Sequence, residues 1–316
     1  MDLIFGELSI AIIEWIQSTF SPEFDLIFII ISALGDTAFY VLVISAVYWT
    51  ISKRHGIRLV LLMAMNLYTN GLFKDVIGLQ RPYQAYPNSI TAINTASGYS
   101  FPSGHSQSSG AFYTYIVNCL YGHRLRTILI TSAVAIISLV SVSRLYLGVH
   151  YLGDVLVGAI IGIFITILFI KLFPRGERII SRWSDQSIVL SALLLSFLLI
   201  VLMTIAVFLV RPSETVLSGG APGLLAGGVL GLVLEKKYVN FGTESVSKFN
   251  VLMRLFFGYI LILSTVFLVN AAFGAYRGTN LNIFYEYLVY FCLGFVASFL
   301  APLIFKKFEL LGVMEQ

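Results

Sequence analysis

The sequence predicts an all-α fold, a polytopic bundle of transmembrane helices. Of the 316 residues, 58% are hydrophobic and 11% are charged, and the mean hydropathy is +0.89. Soluble proteins of this size carry roughly a quarter charged residues. The apolar residues also gather into runs of the length that a bilayer-crossing helix needs, about 20 residues. This composition excludes a soluble enzyme and gives no basic surface for nucleic acid.

Nine apolar segments are predicted to cross the membrane, and the third is the shortest. They are residues 26–51, 57–79, 105–121, 126–146, 150–172, 187–210, 217–235, 252–273 and 283–305. Before them, residues 1–22 combine apolar residues with Glu7 and Glu14, which are seven apart on one helical face. This pattern favours a helix lying in the membrane interface, and the sequence leaves open whether residues 3–20 cross the membrane instead.

The basic residues predict how the spans are oriented, because cytoplasmic loops are enriched in Lys and Arg. Five of the 20 Lys and Arg residues fall on one side of the predicted spans: Lys74, Arg81, Arg144, Arg211 and Arg277. The other fifteen are Lys53, Arg54, Arg58, Arg124, Arg126, Lys171, Arg175, Arg178, Arg182, Lys236, Lys237, Lys248, Arg254, Lys306 and Lys307. The larger set predicts the cytoplasmic side, which places the C-terminus in the cytoplasm and Lys74, Arg81 and Arg144 at the extracytoplasmic face.

Three clusters of polar residues interrupt the apolar sequence between residues 74 and 154. The clusters are Lys74 with Arg81-Pro82, then Pro102-Ser103-Gly104-His105, then Ser143-Arg144 with His150 and Asp154. Three cations without a neighbouring acidic run form a site for a dianion, and the guanidinium fork suits phosphate oxygens. The hydroxyls of Ser103 and Ser143 and the backbone N–H of Gly104 can donate to the same anion. If a helix begins near Ser103, its N-terminal amides favour an anion there.

The two histidines add reactivity that cations lack, because an imidazole can attack phosphorus or transfer a proton near neutral pH. Asp154 follows His150 by four residues, which on a helix places the carboxylate beside the ring. The carboxylate can then accept from one ring nitrogen and leave the other free as a nucleophile.

These clusters, in this order and spacing, resemble the three signature motifs of the type 2 phosphatidic acid phosphatase (PAP2) superfamily. The resemblance implies that His150 is the nucleophile that forms a phosphohistidine, that Asp154 orients it and that His105 protonates the leaving oxygen. It assigns Lys74, Arg81, Ser103, Gly104 and Arg144 to phosphate binding. It also implies a PAP2-type catalytic core at residues 23–173, after the N-terminal helix at 1–22, with additional transmembrane helices at 174–316.

The predicted function is an integral membrane phosphatase that needs no metal or other cofactor. The sequence offers no carboxylate cluster for Mg²⁺, and Cys119 and Cys292 form no zinc pattern. A site among apolar helices favours a lipid substrate, such as a polyprenyl phosphate or diphosphate or phosphatidic acid. A sugar phosphate is the alternative, because Leu34-Gly35-Asp36 weakly resembles glucose-6-phosphatase. A haloperoxidase-like role or a transporter or scaffold role is less favoured.

Beyond residue 174 the clearest pattern is a glycine at every fourth position, at Gly219, Gly223, Gly227 and Gly231. Small residues at this spacing let helices approach closely. The pattern predicts a packing face, either within one chain or between the subunits of a homo-oligomer.

Overall fold

The computed structural model describes residues 6–120, 125–211 and 217–311, and within these ranges the chain forms thirteen α-helices and no β-strand. In chain order they are α1 (Glu7–Phe20), α2 (Asp25–Ala33), α3 (Thr37–Ala46), α4 (Lys53–Ile77), α5 (Pro82–Ala85), α6 (Gly104–Cys119), α7 (Arg126–Tyr146), α8 (Leu152–Ile180), α9 (Asp185–Val210), α10 (Gly220–Tyr238), α11 (Lys248–Phe273), α12 (Asn282–Phe295) and α13 (Ala301–Lys307). A π-helical turn extends α3 to Ile51, and another joins α12 to α13. The first five residues of the predicted N-terminal helix and Arg124 of the predicted cytoplasmic set lie outside the described residues, as do residues 212–216 and 312–316 of the predicted C-terminal region.

The predicted all-α membrane fold is confirmed. Among the described residues, six helical stretches are long and apolar enough to cross a membrane, and a seventh is formed if α2 and α3, which meet at 45°, count as one broken span. These seven correspond to seven of the nine predicted segments.

Two predicted spans, at residues 105–121 and 217–235, do not meet the same criteria of length and composition. Helix α6 has 16 residues, which gives about 24 Å of helix against a hydrocarbon core of about 30 Å, and its first turns are polar. Helix α10 has 19 residues, but its mean hydropathy is lowered by its glycines and by Glu235, Lys236 and Lys237 at its end. The count of nine spans is therefore not supported at these two helices.

The chain divides into two compact units, and the first comprises residues 1–40 and 69–173. All three polar clusters lie in this unit. Helices α6 and α8 are in close backbone contact, since a Cβ on Gly110 would lie 2.6 Å from the carbonyl oxygen of Ala159 and one on Gly158 would lie 2.7 Å from that of Ser103. This contact brings the start of α6 beside the first turn of α8.

Helix α1 packs on the loops next to these clusters. Its buried face contains Ile13 and Ile16, which pack in two apolar clusters with residues such as Ile90 and Tyr146. The Gln17 amide donates to the carbonyls of Thr91 and Tyr146 at 2.8 Å each, and its oxygen accepts from the Thr91 N–H at 3.1 Å. At 14 residues, about 21 Å, α1 is shorter than the hydrocarbon core of a bilayer.

The second unit comprises residues 41–68 and 174–316. Its core is centred on Trp49, Phe241 and Phe305, all fully buried. The buried Arg254 guanidinium lies near the rings of Phe241 and Phe305 and donates to the carbonyls of Trp49, Gly242 and Leu310. It thereby ties three separate chain segments to one point.

The glycine-rich face of α10 packs against α12 within the same chain. A Cβ added to Gly219, Gly223 or Gly227 would collide with the backbone of α12, at Ile283, Tyr287 and Phe291 respectively, and one on Gly231 would collide with the Ser298 side chain. The predicted packing face is therefore confirmed, and the structure assigns it to a contact inside the chain.

Candidate active site

The first polar cluster reaches the site from two different elements. Helix α4 ends at Ile77, and Gly78 leaves it with φ of +63° while its N–H donates to the Lys74 carbonyl. Arg81 therefore precedes α5 and is not on the same helix as Lys74. A continuous helix would have placed the two residues two turns apart on one face. Both side chains still converge on one segment, because Lys74 donates to the carbonyls of Tyr99 and Ser100, and Arg81 to those of Ser97 and Gly98.

The second cluster forms the start of α6, as the sequence predicted. Ser103 caps the helix, and its hydroxyl accepts from the N–H of Ser106. Asn70 on α4 fixes this turn by donating to the Pro102 carbonyl at 3.2 Å and to the Gln107 side chain at 2.8 Å. The turn has no spare room on that side, because a Cβ on Gly104 would lie 3.2 Å from the Asn70 amide oxygen.

The third cluster spans the end of α7 and the start of α8. The Ser143 hydroxyl donates to the Val140 carbonyl at 2.6 Å, and Arg144 donates to the Ser32 hydroxyl. His150 lies in the loop before α8, so it pairs with Asp154 from outside the helix. His150 Nδ1 is 3.3 Å from Asp154 Oδ2, which also accepts from the Tyr151 N–H at 2.8 Å.

This pairing leaves Nε2 as the ring nitrogen of His150 that does not face Asp154. With the proton on Nδ1 facing Asp154, Nε2 lies 3.2 Å from Arg81 Nη1. Burial, and then the positive charges of Arg81, Lys74 and Arg144, hold the pKa of His150 well below its usual value. The imidazole is therefore neutral near pH 7, which is the form that can attack phosphorus.

The site is closed on one side and open on the other. The side chains of His150 and Asp154 are 2% and 0% exposed, whereas that of His105 is 25% exposed. Lys74 and Gly104 are also partly exposed. The open side of the site is therefore the side of His105. Among the described residues, no group of three or more His, Cys, Asp or Glu side chains is placed to hold a metal ion.

The structure adds two residues that sequence reasoning did not identify as parts of the site. Ser100 is fully buried, and its hydroxyl donates to Asp154 Oδ2 and lies 3.4 Å from His150 Nδ1. Asp36 Oδ2 lies 3.6 Å from His105 Nε2. In the sequence, Ser100 is one of several hydroxyl residues in a polar loop, and Asp36 was noted only within the Leu34-Gly35-Asp36 string. Neither had a spacing that pointed to this site.

The site consists of cations around a buried histidine–aspartate pair at the ends of membrane helices. Such a site is typical of a membrane protein that binds a phosphate group. The family model described as PAP2 superfamily matches residues 55–178, and a second, described as PAP2 superfamily phosphatase, transmembrane extension, matches residues 219–314. The chain belongs to the PAP2 superfamily.

Curated relatives agree with this assignment. The chain is 27% identical over 303 residues to sphingosine-1-phosphate phosphatase 1 of Rattus norvegicus, which covers 86% of this chain and 70% of that protein. It is 27% identical over 190 residues to a dihydrosphingosine 1-phosphate phosphatase of Schizosaccharomyces pombe, and the match spans 58% of this chain but 46% of the yeast protein. The PAP2 type phosphatidylglycerolphosphate phosphatase of Bacillus subtilis aligns with a TM-score of 0.47 and 25% identity, covering 53% of this chain and 85% of that one.

Proposed function

We propose that this protein is a metal-independent lipid phosphate phosphatase that works through a phosphohistidine on His150 at the extracytoplasmic face of the membrane. The observation that carries the proposal is the setting of His150. Its ring is buried, held by Asp154 through Nδ1, and its Nε2 faces the guanidinium of Arg81. A neutral nucleophile beside several cations is suited to attack on a phosphate dianion.

In the first step, His150 Nε2 attacks phosphorus. The N–P bond forms as the P–O bond to the lipid breaks, and the leaving oxygen takes a proton from His105. Lys74, Arg81 and Arg144 balance the negative charge on the phosphoryl oxygens, since phosphoryl transfer depends mainly on positioning and on charge stabilisation. In the second step, water attacks the phosphohistidine, gives a proton to the neutral His105, and the N–P bond breaks.

Binding of the phosphoryl group also involves smaller donors. The first N–H groups of α6, including that of Gly104, have no partner within the helix, so this end of the helix favours an anion. Ser103, which caps α6, lies at the same end of the helix. The Ser143 hydroxyl donates to the Val140 carbonyl, so it has to turn away from that carbonyl before it can donate to phosphate.

A phosphate that reaches Lys74 and Arg81 competes with backbone carbonyls. Both side chains donate to the carbonyls of Ser97–Ser100. A phosphate dianion is a stronger acceptor than a neutral carbonyl, because charge-assisted hydrogen bonds are roughly twice as strong as neutral ones. Substrate binding therefore exchanges some of these bonds for bonds to phosphate.

The proposed substrate is a lipid phosphate. The rat and yeast relatives are named for phosphorylated sphingoid bases, which carry one apolar chain and one phosphate. The polar clusters lie at the ends of the candidate spans formed by α4, α7 and α8. A phosphate held there leaves an attached hydrocarbon chain beside apolar helices, which supports a lipid over a sugar phosphate.

The proposed sidedness rests on three helices that each carry a polar cluster at one end and basic residues at the other. Helix α4 begins with Lys53 and Arg54 and carries Lys74 near its end. Helix α7 begins with Arg126 and carries Arg144 near its end, whereas α8 carries Asp154 near its start and Arg178 near its end. The basic ends favour the cytoplasm, so the opposite ends with the phosphate site face outward.

The test is phosphate release by the purified protein in detergent with a chelator present. The substrates are sphingosine 1-phosphate, phosphatidic acid, a polyprenyl phosphate, a polyprenyl diphosphate and glucose 6-phosphate. We expect hydrolysis of at least one lipid phosphate with a higher kcat/KM than that of glucose 6-phosphate. Faster hydrolysis of glucose 6-phosphate than of every lipid would favour the sugar phosphate alternative.

Two histidine variants test the mechanism. His150→Ala should abolish turnover of every substrate, since no other group is placed to form the covalent bond. His105→Ala should lose roughly a hundredfold or more on an alkyl phosphate, and much less on an aryl phosphate whose acidic phenol leaves without a proton. Phosphoenzyme should be trapped in His105→Ala with the aryl substrate and never in His150→Ala.

His55→Ala is the matched control, because His55 lies in the first turn of α4, at the opposite end of that helix from Lys74. Equal losses for the two variants on both substrates, or a phosphoenzyme in His150→Ala, would overturn the roles assigned to them.

A further inference from the structure

The break between α2 and α3 forms a fourth segment of the site. It consists of residues 34–36, where the two helices meet at 45°. It precedes residues 55–178, which the PAP2 superfamily model matches, and belongs to none of the three motifs.

Three contacts fix this break against the site helices. The Tyr113 hydroxyl on α6 donates to the Leu34 carbonyl at 3.3 Å, and Arg144 on α7 donates to the hydroxyl of Ser32, just before the break. Gly35 lies flat against both helices, since a Cβ there would be 2.7 Å from Val140 Cγ1 and 3.1 Å from His105 Cβ. The break is therefore a packed part of the site with a defined position.

This position places the Asp36 carboxylate beside His105. Asp36 Oδ1 accepts from the N–H of Ala38 at 2.8 Å, which orients the carboxylate, and Oδ2 lies 3.6 Å from His105 Nε2, at ion-pair distance. Both side chains are partly exposed, 50% for Asp36 and 25% for His105. The pair therefore lies on the open side of the site.

We propose that Asp36 is the positioning residue for His105: it orients the imidazole and favours its protonated form, so that His105 can give a proton to the leaving lipid oxygen. This inference rests on the proposed phosphatase function. The groups that face His105 are Asp36 from the break, Arg144 from α7, Arg81 from the segment before α5 and His150 from the loop before α8. Burial of the ring, and with it the two guanidinium groups, disfavours an imidazolium, and the Asp36 carboxylate opposes this effect.

Asparagine at position 36 separates this role from a structural one. Asp36 also caps α3 through Oδ1, and asparagine caps a helix about as well as aspartate does. Asp36→Asn thus keeps the cap and removes the charge, whereas Asp36→Glu keeps the charge. Glu23→Gln, which neutralises an exposed carboxylate in the same unit, is the control for a general loss of negative charge.

The experiment measures kcat and KM of the full-length protein for an alkyl and an aryl phosphate across pH. In Asp36→Asn we expect kcat on the alkyl phosphate to fall about ten- to a hundredfold, within the range of general acid catalysis, and kcat on the aryl phosphate to change much less. The alkaline limb of the alkyl profile should move to lower pH, because loss of the carboxylate makes His105 lose its proton sooner. Asp36→Glu should restore part of the activity.

The outcomes separate this inference from the proposed function. If the wild-type protein hydrolyses no phosphate ester, the proposed function fails. If the wild type is active but Asp36→Asn behaves like Glu23→Gln, or loses equal activity on both substrates with an unmoved alkaline limb, Asp36 does not act through His105 and the inference is wrong.

Discussion

Replacing Ser100 with alanine removes one of the donors that hold the Asp154 carboxylate. The Ser100 hydroxyl donates to Asp154 Oδ2, the same oxygen that faces His150 Nδ1 and accepts from the Tyr151 N–H. Ser100 is fully buried, so water does not replace its hydroxyl without cost. The change should loosen the carboxylate and, through it, the ring of His150.

The size of the effect follows from the donors that remain. A hydrogen bond to a charged group contributes about 1.5–3 kcal/mol, and each 1.36 kcal/mol in the barrier is about tenfold in rate. The Tyr151 N–H, at 2.8 Å, still holds the carboxylate, so the loss should fall at the low end of this range. We expect kcat to fall roughly ten- to thirtyfold with little change in KM, because Ser100 reaches the reaction through Asp154.

The assay is steady-state hydrolysis of an aryl phosphate by the purified variant, repeated in an Asp154→Asn background. If Ser100 acts through Asp154, adding Ser100→Ala to Asp154→Asn should change kcat by less than about twofold. Ser196→Ala is the matched control, since its buried hydroxyl donates to the Pro222 carbonyl in the other unit. An unchanged kcat in Ser100→Ala, or full additivity with Asp154→Asn, would refute the reasoning.

Activity should survive chelators and be inhibited by vanadate, which adopts the five-coordinate geometry of a phosphoryl group in transfer; loss in chelator with rescue by Mg²⁺ would contradict the mechanism. Because burial and the neighbouring cations lower the pKa of His150, the acid limb of kcat/KM, corrected for substrate ionisation, should lie well below the usual histidine value of about 6.5; a limb at or above that value would count against a neutral nucleophile. In a variant without native cysteines, a cysteine at Asn94 should react with an impermeant reagent on intact cells and one at Gly176 should not, and the reverse labelling would invert the topology. Gly227→Ala should destabilise the protein by about 1–3 kcal/mol in a detergent melt, because its Cβ meets the α12 backbone, whereas Gly228→Ala, whose Cβ meets open space, should not; equal shifts would contradict the assigned helix contact.

The sequence was sufficient for the fold class and for the three polar clusters that the structure brings together. Ionisable side chains are costly within a membrane, so clusters that contain them stand out against an apolar background. The apolar segment predicted at residues 105–121 also placed a helix start near Ser103, and in the structure Ser103 caps α6. The glycine spacing predicted the face of α10, since small residues at every fourth position point to one side of a helix.

The rest depended on how distant segments meet. Lys74 and Arg81 are seven positions apart, which would be two turns of one helix, but Gly78 ends α4 between them and the following loop carries Arg81. Ser100 and Asp36 lie in a loop and at a helix break, where no periodicity fixes the direction of a side chain. Their roles appear once tertiary packing has placed them beside Asp154 and His105.

The bonds made by Gln17 set an order for the assembly of this protein. Its amide binds the carbonyls of Thr91 and Tyr146, which follow it in the chain by 74 and 129 residues. At synthesis rates of about 5–20 residues per second, Tyr146 leaves the ribosome roughly 6–26 s after Gln17. During this interval the apolar face of α1 lacks its native partner, while the following helices are already entering the bilayer. Helix α1 therefore docks late, after the chain has been synthesised as far as Tyr146 at the end of α7.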